Sequence, residues 1–153
     1  LTGGRLLRLK KYLINKKLFM VTYGDGLSNI NLIKLEKFHK KHKKIASLTA
    51  VRPAARFGEL FIKKGKVYQF KEKPQTSGNW INGGFFLFDK RIFNYLKNDK
   101  TILERDPFQK LSRKRELMAF KHYGFWQCMD TLRDKILLNK IWSSKKIPWI
   151  KKN

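Results

Sequence analysis

A chain of 153 residues that is 42% hydrophobic and 14% aromatic is long enough to bury a core and too apolar to remain disordered. Its formal net charge of +25 argues less for nucleic acid than the number suggests, because lysines punctuate every segment, from Lys10-Lys11 through Lys63-Lys64 to Lys151-Lys152, as on a solvated surface and not in a basic groove. One cysteine, Cys128, excludes an internal disulfide, the apolar runs are strand-length, and no signal-peptide pattern is present, so the expectation is a protein of the reducing cytoplasm with no membrane span.

In chain order, Thr2-Gly-Gly-Arg5 reads as a glycine loop entering an amphipathic helix that carries Leu6, Leu7, Leu9, Tyr12 and Leu13; such a loop can hold an anion or simply start the helix. Leu18 to Thr22 is a buried-strand pattern that stops at Tyr23-Gly-Asp-Gly26. Asp25 is thus either the apex of a tight turn or a strand-end carboxylate beside a ligand, where glycines let a substrate approach the backbone. Ser28, Asn29 and Asn31 offer caps for a helix to His42 with a stripe of Leu32, Leu35 and Phe38. His39 and His42 stand among Lys40, Lys41, Lys43 and Lys44, which would repel a bound cation, and are expected to be solvated. Ile45 to Val51 is a second strand, completing a strand-helix-strand rhythm of the parallel α/β kind.

Glu59 to Ile62 and Val67 to Phe70 flank Lys63-Lys-Gly-Lys66 as a β-hairpin. It runs into Lys71-Glu-Lys-Pro74, where Glu72 can accept two hydroxyl hydrogen bonds and Lys73 can pair with a phosphate; spacing alone favours a surface ion pair. Trp80 to Phe88 is a strong strand whose Gly83 and Gly84 call for a close-approaching ligand or a bulge. Asp89 caps a short helix. Thr101-x-x-Glu104 has capping-box spacing and is assigned to the start of the next helix. Leu117 to Phe120 and Gly124 to Trp126 read as a final β-ribbon, and Leu132 to Trp142 as a helix. Asp130, before that helix, is either its N-cap or a second strand-end carboxylate; with Asp25 it could hold one hard divalent cation such as Mg²⁺. No zinc spacing, nucleophile elbow or Walker loop occurs.

Taken together and in this order, Thr2-Gly-Gly-Arg-Leu6, Tyr23-Gly-Asp-Gly26, Leu48-Thr-Ala-Val51, Arg56-Phe-Gly58, Glu72-Lys-Pro74, Trp80-Ile-Asn-Gly-Gly-Phe-Phe86, Glu116-Leu-Met-Ala-Phe120 and Gly124-Phe-Trp-Gln127 with Met129-Asp-Thr-Leu-Arg-Asp134 resemble the glucose-1-phosphate cytidylyltransferases, a branch of the sugar-phosphate nucleotidyltransferase superfamily. The resemblance covers essentially the whole chain. It implies one domain over residues 1–153 with a Rossmann-like α/β fold: a mixed, mainly parallel sheet with helices on both faces plus a small β-hairpin region, incomplete at the N-terminus. The implied reaction joins CTP and α-D-glucose 1-phosphate to give CDP-glucose and pyrophosphate, for dideoxysugar and O-antigen synthesis, in a homo-oligomer.

By the same resemblance Asp25 and Asp130 hold Mg²⁺, and Lys73 binds the sugar phosphate. Glu72, Gly58, Asn82 and Gly83 form the glucose pocket, and Thr2, Gly3, Gly4 and Arg5 meet the nucleotide. The family's Gly-x-Gly-Thr-Arg loop is absent from this sequence, so little activity is expected of the chain alone, which is also expected to expose an apolar sheet edge. Two rival readings are a relative using UTP, dTTP or GTP, and a non-catalytic basic module that binds polyanions in a salt-dependent, Mg²⁺-independent way. A truncated, inactive paralogue is the third.

Overall fold

The computed structural model describes residues 1–53, 58–72 and 80–150. Helices α1 (Thr2–Arg8) and α2 (Lys10–Leu13) lead into strand β1 (Leu18–Thr22), a short strand β2 (Gly26–Ser28), helix α3 (Leu32–His42) and strand β3 (Ala46–Val51). A hairpin, β4 (Glu59–Lys63) and β5 (Lys66–Lys71), precedes the long strand β6 (Ile81–Asp89) and a 3₁₀ helix (Lys90–Tyr95). Helix α4 (Asp106–Arg113), strands β7 (Leu117–Lys121) and β8 (Trp126–Cys128), and helix α5 (Leu132–Ser143) complete the order. The chain divides into two compact units, one of residues 1–24, 31–49 and 84–121, the other of residues 25–30, 50–83 and 122–153.

The main sheet has the order β1-β6-β3-β7. β1 pairs antiparallel with β6, Phe19 opposite Phe88. The Asp89 amide donates to the Ile45 carbonyl at 2.9 Å, so the end of β6 meets the start of β3 and these two strands also run oppositely. Ala46 N–H to Glu116 O (3.0 Å) and His122 N–H to Ala50 O (2.9 Å) join the starts and the ends of β3 and β7, so that pair is parallel. The result is the expected mixed α/β sheet, three strands one way and β6 the other.

β6 is buried on both faces, with Phe86 and Phe88 on one and Leu87 on the other. In the first unit Phe86 stacks on Phe88 at 5.5 Å, Phe19 leans on Phe88 at 5.9 Å, and Ile92, Phe93, Leu103, Phe108 and Leu111 close the core. The hairpin forms as expected. Its turn needs two residues with positive φ, supplied by Lys64 (48°) and Gly65 (75°), the conformation whose twist matches that of the strands it joins.

Three expectations are corrected. Leu117–Phe120 and Gly124–Trp126 do not form a ribbon: β7 joins the main sheet and β8 pairs with β2. The intervening residues bond elsewhere, His122 N–H to Ala50 O and Phe125 O to Asn29 N–H, so no hairpin turn closes.

Glu104 is not part of a capping box. Helix α4 begins at Asp106 with Pro107 in its first turn and no side-chain cap, while the Thr101 hydroxyl accepts the amides of Lys97 and Asn98.

His39 and His42 are not solvated. Asn31 caps α3 as anticipated, but the buried positions are Leu35 and His39, and Leu32 is 45% exposed. Lys44 N–H donates to His42 Nδ1 (2.9 Å), so neutral His42 carries its proton on Nε2 and donates it to Ser47 Oγ (2.8 Å). The Ser47 hydroxyl proton is then left for His39 Nδ1 at 2.9 Å.

Burial, reinforced by His42, pushes His39 down to about 4 from an ordinary value near 6.5, with Asp89 opposing. Because the folded-state value is the lower one, the unfolded chain binds the extra proton between these limits. Stability from this group is therefore complete above pH 6.5 and is lost as pH falls toward 4, by up to about 3 kcal/mol. Urea midpoints measured from pH 7 to 4.5 should fall along this window, and the His39→Gln variant should flatten the curve. An unchanged slope in that variant removes His39 as its source.

Candidate active site

Asp25 follows β1 by the turn Tyr23-Gly24, and Asp130 follows β8. Antiparallel pairing of β2 with β8 puts Gly26 opposite Cys128 and lets the Met129 amide donate to the Asp25 carbonyl at 2.9 Å. Asp25 therefore lies opposite Met129 across this short ladder, and Asp130 is the next residue along the chain. Both are exposed, contrary to the buried setting suggested by their apolar flanks.

The alternative role for Asp130 is excluded. The N-cap of α5 is Thr131, in a reciprocal capping box with Asp134: Asp134 N–H to Thr131 Oγ1 is 3.2 Å and Thr131 N–H to Asp134 Oδ2 is 3.0 Å. Gln127 Nε2 also donates to Asp134 Oδ1 (3.1 Å), tying β8 to the helix that follows Asp130. Burial first, then the carboxylates of Asp130 and Asp134, raise the Cys128 thiol to about 11, so it stays protonated and offers no thiolate beside them.

The expected sugar-pocket residues belong to the same unit. Gly58 stands against the second hairpin strand: a Cβ there would lie 2.8 Å from the Phe70 ring and 3.2 Å from Glu72 Oε2, so glycine lets the chain pass beside that carboxylate. Asn82 and Gly83 open β6, and the Gly83 carbonyl accepts the Trp126 indole N–H at 2.8 Å. Trp126 thereby holds Gly83 from β8, the strand that leads to Asp130. This residue was read as part of a strand and of the motif Gly124-Phe-Trp-Gln127, with no role at the site; its partner Gly83 is 43 residues away in the chain, so no local pattern pointed to it. Gly84 takes φ +75°, and a Cβ on it would meet the Tyr23 ring at 2.7 Å, so close approach of an aromatic side chain accounts for that glycine. Lys73 lies outside the described residues.

Thr2, Gly3, Gly4 and Arg5 fall in the other unit, and they are the first turn of α1 instead of a loop. Thr2 Oγ1 donates to Glu104 Oε2 at 2.7 Å and accepts the Leu103 amide at 2.9 Å, and the Tyr23 hydroxyl donates to Glu104 Oε1. Glu104 is thus structural, as anticipated, but through this network and not as a cap. Gly3 and Gly4 are buried against residues 99–101.

Residues 6–131 match the family described as Nucleotidyl transferase. The chain is 46% identical over 149 residues to glucose-1-phosphate cytidylyltransferase of Salmonella typhimurium and 31% identical over 123 residues to mannose-1-phosphate guanylyltransferase 1 of Arabidopsis thaliana. The first alignment takes in 97% of this chain and 58% of the Salmonella protein, the second 77% and 34%. Among solved structures, HddC from Yersinia pseudotuberculosis superposes with a TM-score of 0.66 at 21% identity, over 92% of this chain and 62% of that one. That likeness carries the fold, and the match over most of the sequence carries the membership: this chain belongs to the nucleotidyl transferase family, with the Rossmann-like α/β fold that the resemblance implied.

Proposed function

We propose that the protein transfers a cytidylyl group from CTP to α-D-glucose 1-phosphate, releasing pyrophosphate and forming CDP-glucose. The observation that carries this reading is the 46% identity to a cytidylyltransferase over 97% of the chain, and the β2–β8 pairing supports it by bringing Met129, the residue before Asp130, opposite Asp25. Other sugar-phosphate nucleotidyltransferases match at lower identity, which favours cytidine over guanosine. We place the activity in the cytoplasm, in a homo-oligomer, with the product destined for deoxysugar assembly into O-antigen.

The donor set suits Mg²⁺. Two exposed carboxylates are hard oxygen ligands that leave room for waters and phosphate oxygens, and the neighbouring thiol is protonated. Bound there, Mg²⁺ would neutralise charge on the phosphates. The chain's own residues do the positioning. Glu72 accepts glucose hydroxyls beside Gly58, Asn82 and Gly83 line the ring, and Lys73 pairs with the sugar phosphate. A phosphate oxygen of glucose 1-phosphate then attacks the α-phosphorus of CTP in line and pyrophosphate leaves, with no covalent enzyme intermediate.

The test is pyrophosphate release by the protein expressed from its complete gene, with glucose 1-phosphate and each of CTP, UTP, dTTP and GTP. Turnover with CTP alone is expected. Turnover confined to another nucleotide transfers the assignment to that branch, and none with any of the four removes the enzyme reading.

A further inference from the structure

We propose that Arg52 is a phosphate-binding residue of this site, held in place by Trp80. Arg52 follows directly on β3 and lies in the unit that carries Asp25, Asp130, Gly58, Glu72, Asn82 and Gly83. Its guanidinium lies over the Trp80 indole, 4.5 Å from the ring centroid, and Trp80 is braced edge-to-face by Tyr123 at 5.2 Å. The residue before Tyr123, His122, is tied to β3 by the bond from its N–H to Ala50 O.

Among the described residues no carboxylate or carbonyl answers the Arg52 guanidinium, and its Nε is buried with no hydrogen-bond partner. The abundant lysines keep their ammonium groups in water at little cost. A half-buried guanidinium with an orphaned N–H is different, because it forfeits hydration without a protein partner in return. A guanidinium held over an indole still needs partners for its N–H donors, and its fork of donors matches two oxygens of a phosphate. Trp80 adjoins Ile81-Asn82-Gly83 in sequence, and Arg52 opens the segment that ends at Gly58. The group that completes Arg52 is therefore a substrate phosphate, and we assign it to the hexose 1-phosphate. This assignment rests on the reading of the site given above, whereas phosphate binding by Arg52 does not.

The experiment is calorimetric titration of the protein with α-D-glucose 1-phosphate, inorganic phosphate, glucose and CTP, for wild type, Arg52→Gln and Arg52→Lys. Arg52→Gln is expected to weaken glucose 1-phosphate and inorganic phosphate about tenfold or more and to leave CTP unchanged, with Arg52→Lys intermediate. Loss confined to CTP retains the phosphate role and moves it to the nucleotide. Unchanged affinity for every phosphate in Arg52→Gln, or no phosphate binding by the wild type, overturns the proposal. The site reading fails separately if wild type binds glucose 1-phosphate no better than inorganic phosphate while Arg52→Gln weakens both. Arg52→Lys keeps the test open if the glutamine variant does not fold.

Discussion

Alanine at Asp25 or at Asp130 is expected to lower turnover with CTP and glucose 1-phosphate about a thousandfold or more, the scale on which several kcal/mol of charge stabilisation is lost from a phosphoryl-transfer site. The same variants should lose binding of Mn²⁺, a spectroscopic stand-in for Mg²⁺, measured by electron paramagnetic resonance. The fold should hardly notice. Asp25 contributes to the β2–β8 ladder through its backbone carbonyl, which alanine retains. Helix α5 is capped by Thr131 and Asp134, so Asp130 carries none of the capping energy, roughly 1 kcal/mol, that an N-cap role would have entailed. Melting temperatures of both variants should therefore stay within about 2 °C of wild type. Near-normal turnover in either variant removes that carboxylate from the metal site, and a large fall in melting temperature shows that its role is structural.

That the two acids stand at strand ends was legible, because apolar runs of strand length stop at each of them. The pairing of the two segments that carry them was not. It depends on a three-residue strand, Gly26-Leu-Ser28, too short to show any alternation, and on β8 choosing that strand over its neighbour in sequence. Periodicity finds elements of five residues or more, and it is silent about which of two short segments will be partners.

The histidines show a different blind spot. Lys40, Lys41, Lys43 and Lys44 surround them along the chain, but a helix sorts residues by angle. His39 lies four positions after Leu35 on the inward face, where a serine hydroxyl, not a lysine, is its neighbour. Glu104 fails for a third reason. The spacing Thr101-x-x-Glu104 is a local pattern, whereas the actual partners of Glu104, Thr2 and Tyr23, are 102 and 81 residues away in chain order, beyond what any spacing rule can see. Arg52 and Trp126 were passed over because each was absorbed into the strand it borders, and only the contacts of their polar atoms distinguish them.

The other large expected effect concerns the glycine pair, where local pattern and tertiary packing point to different roles. Gly4→Ala should lower the melting temperature by about 10 °C or more in the absence of any ligand. In an open helix the same change would help, since alanine is favoured over glycine there by about 1 kcal/mol. Here a Cβ on Gly4 would land on the carbonyl oxygen of Asp99 and 2.7 Å from its Cα, both of them backbone atoms that cannot rotate away. Nor can the helix drift to make room cheaply. The Gly4 amide donates to Thr101 O at 3.1 Å, and Thr2 Oγ1 is bonded both to Glu104 and to the Leu103 amide, so separation of α1 from residues 99–104 breaks all three bonds. Losing these, at about 1 kcal/mol each, and opening the packing beneath Leu6 outweighs the helix-propensity gain by several kcal/mol, with each kcal/mol worth about 3 °C in a chain of this size. Gly3→Ala should be milder, because its nearest neighbour is the Thr101 methyl group at 2.8 Å, a side chain that can yield. A residue whose role is confined to meeting the nucleotide predicts the reverse: no change in the ligand-free melting temperature of Gly4→Ala, and a loss confined to CTP affinity. Thermal denaturation without ligand, beside CTP titration of the same variant, separates packing from recognition at this position.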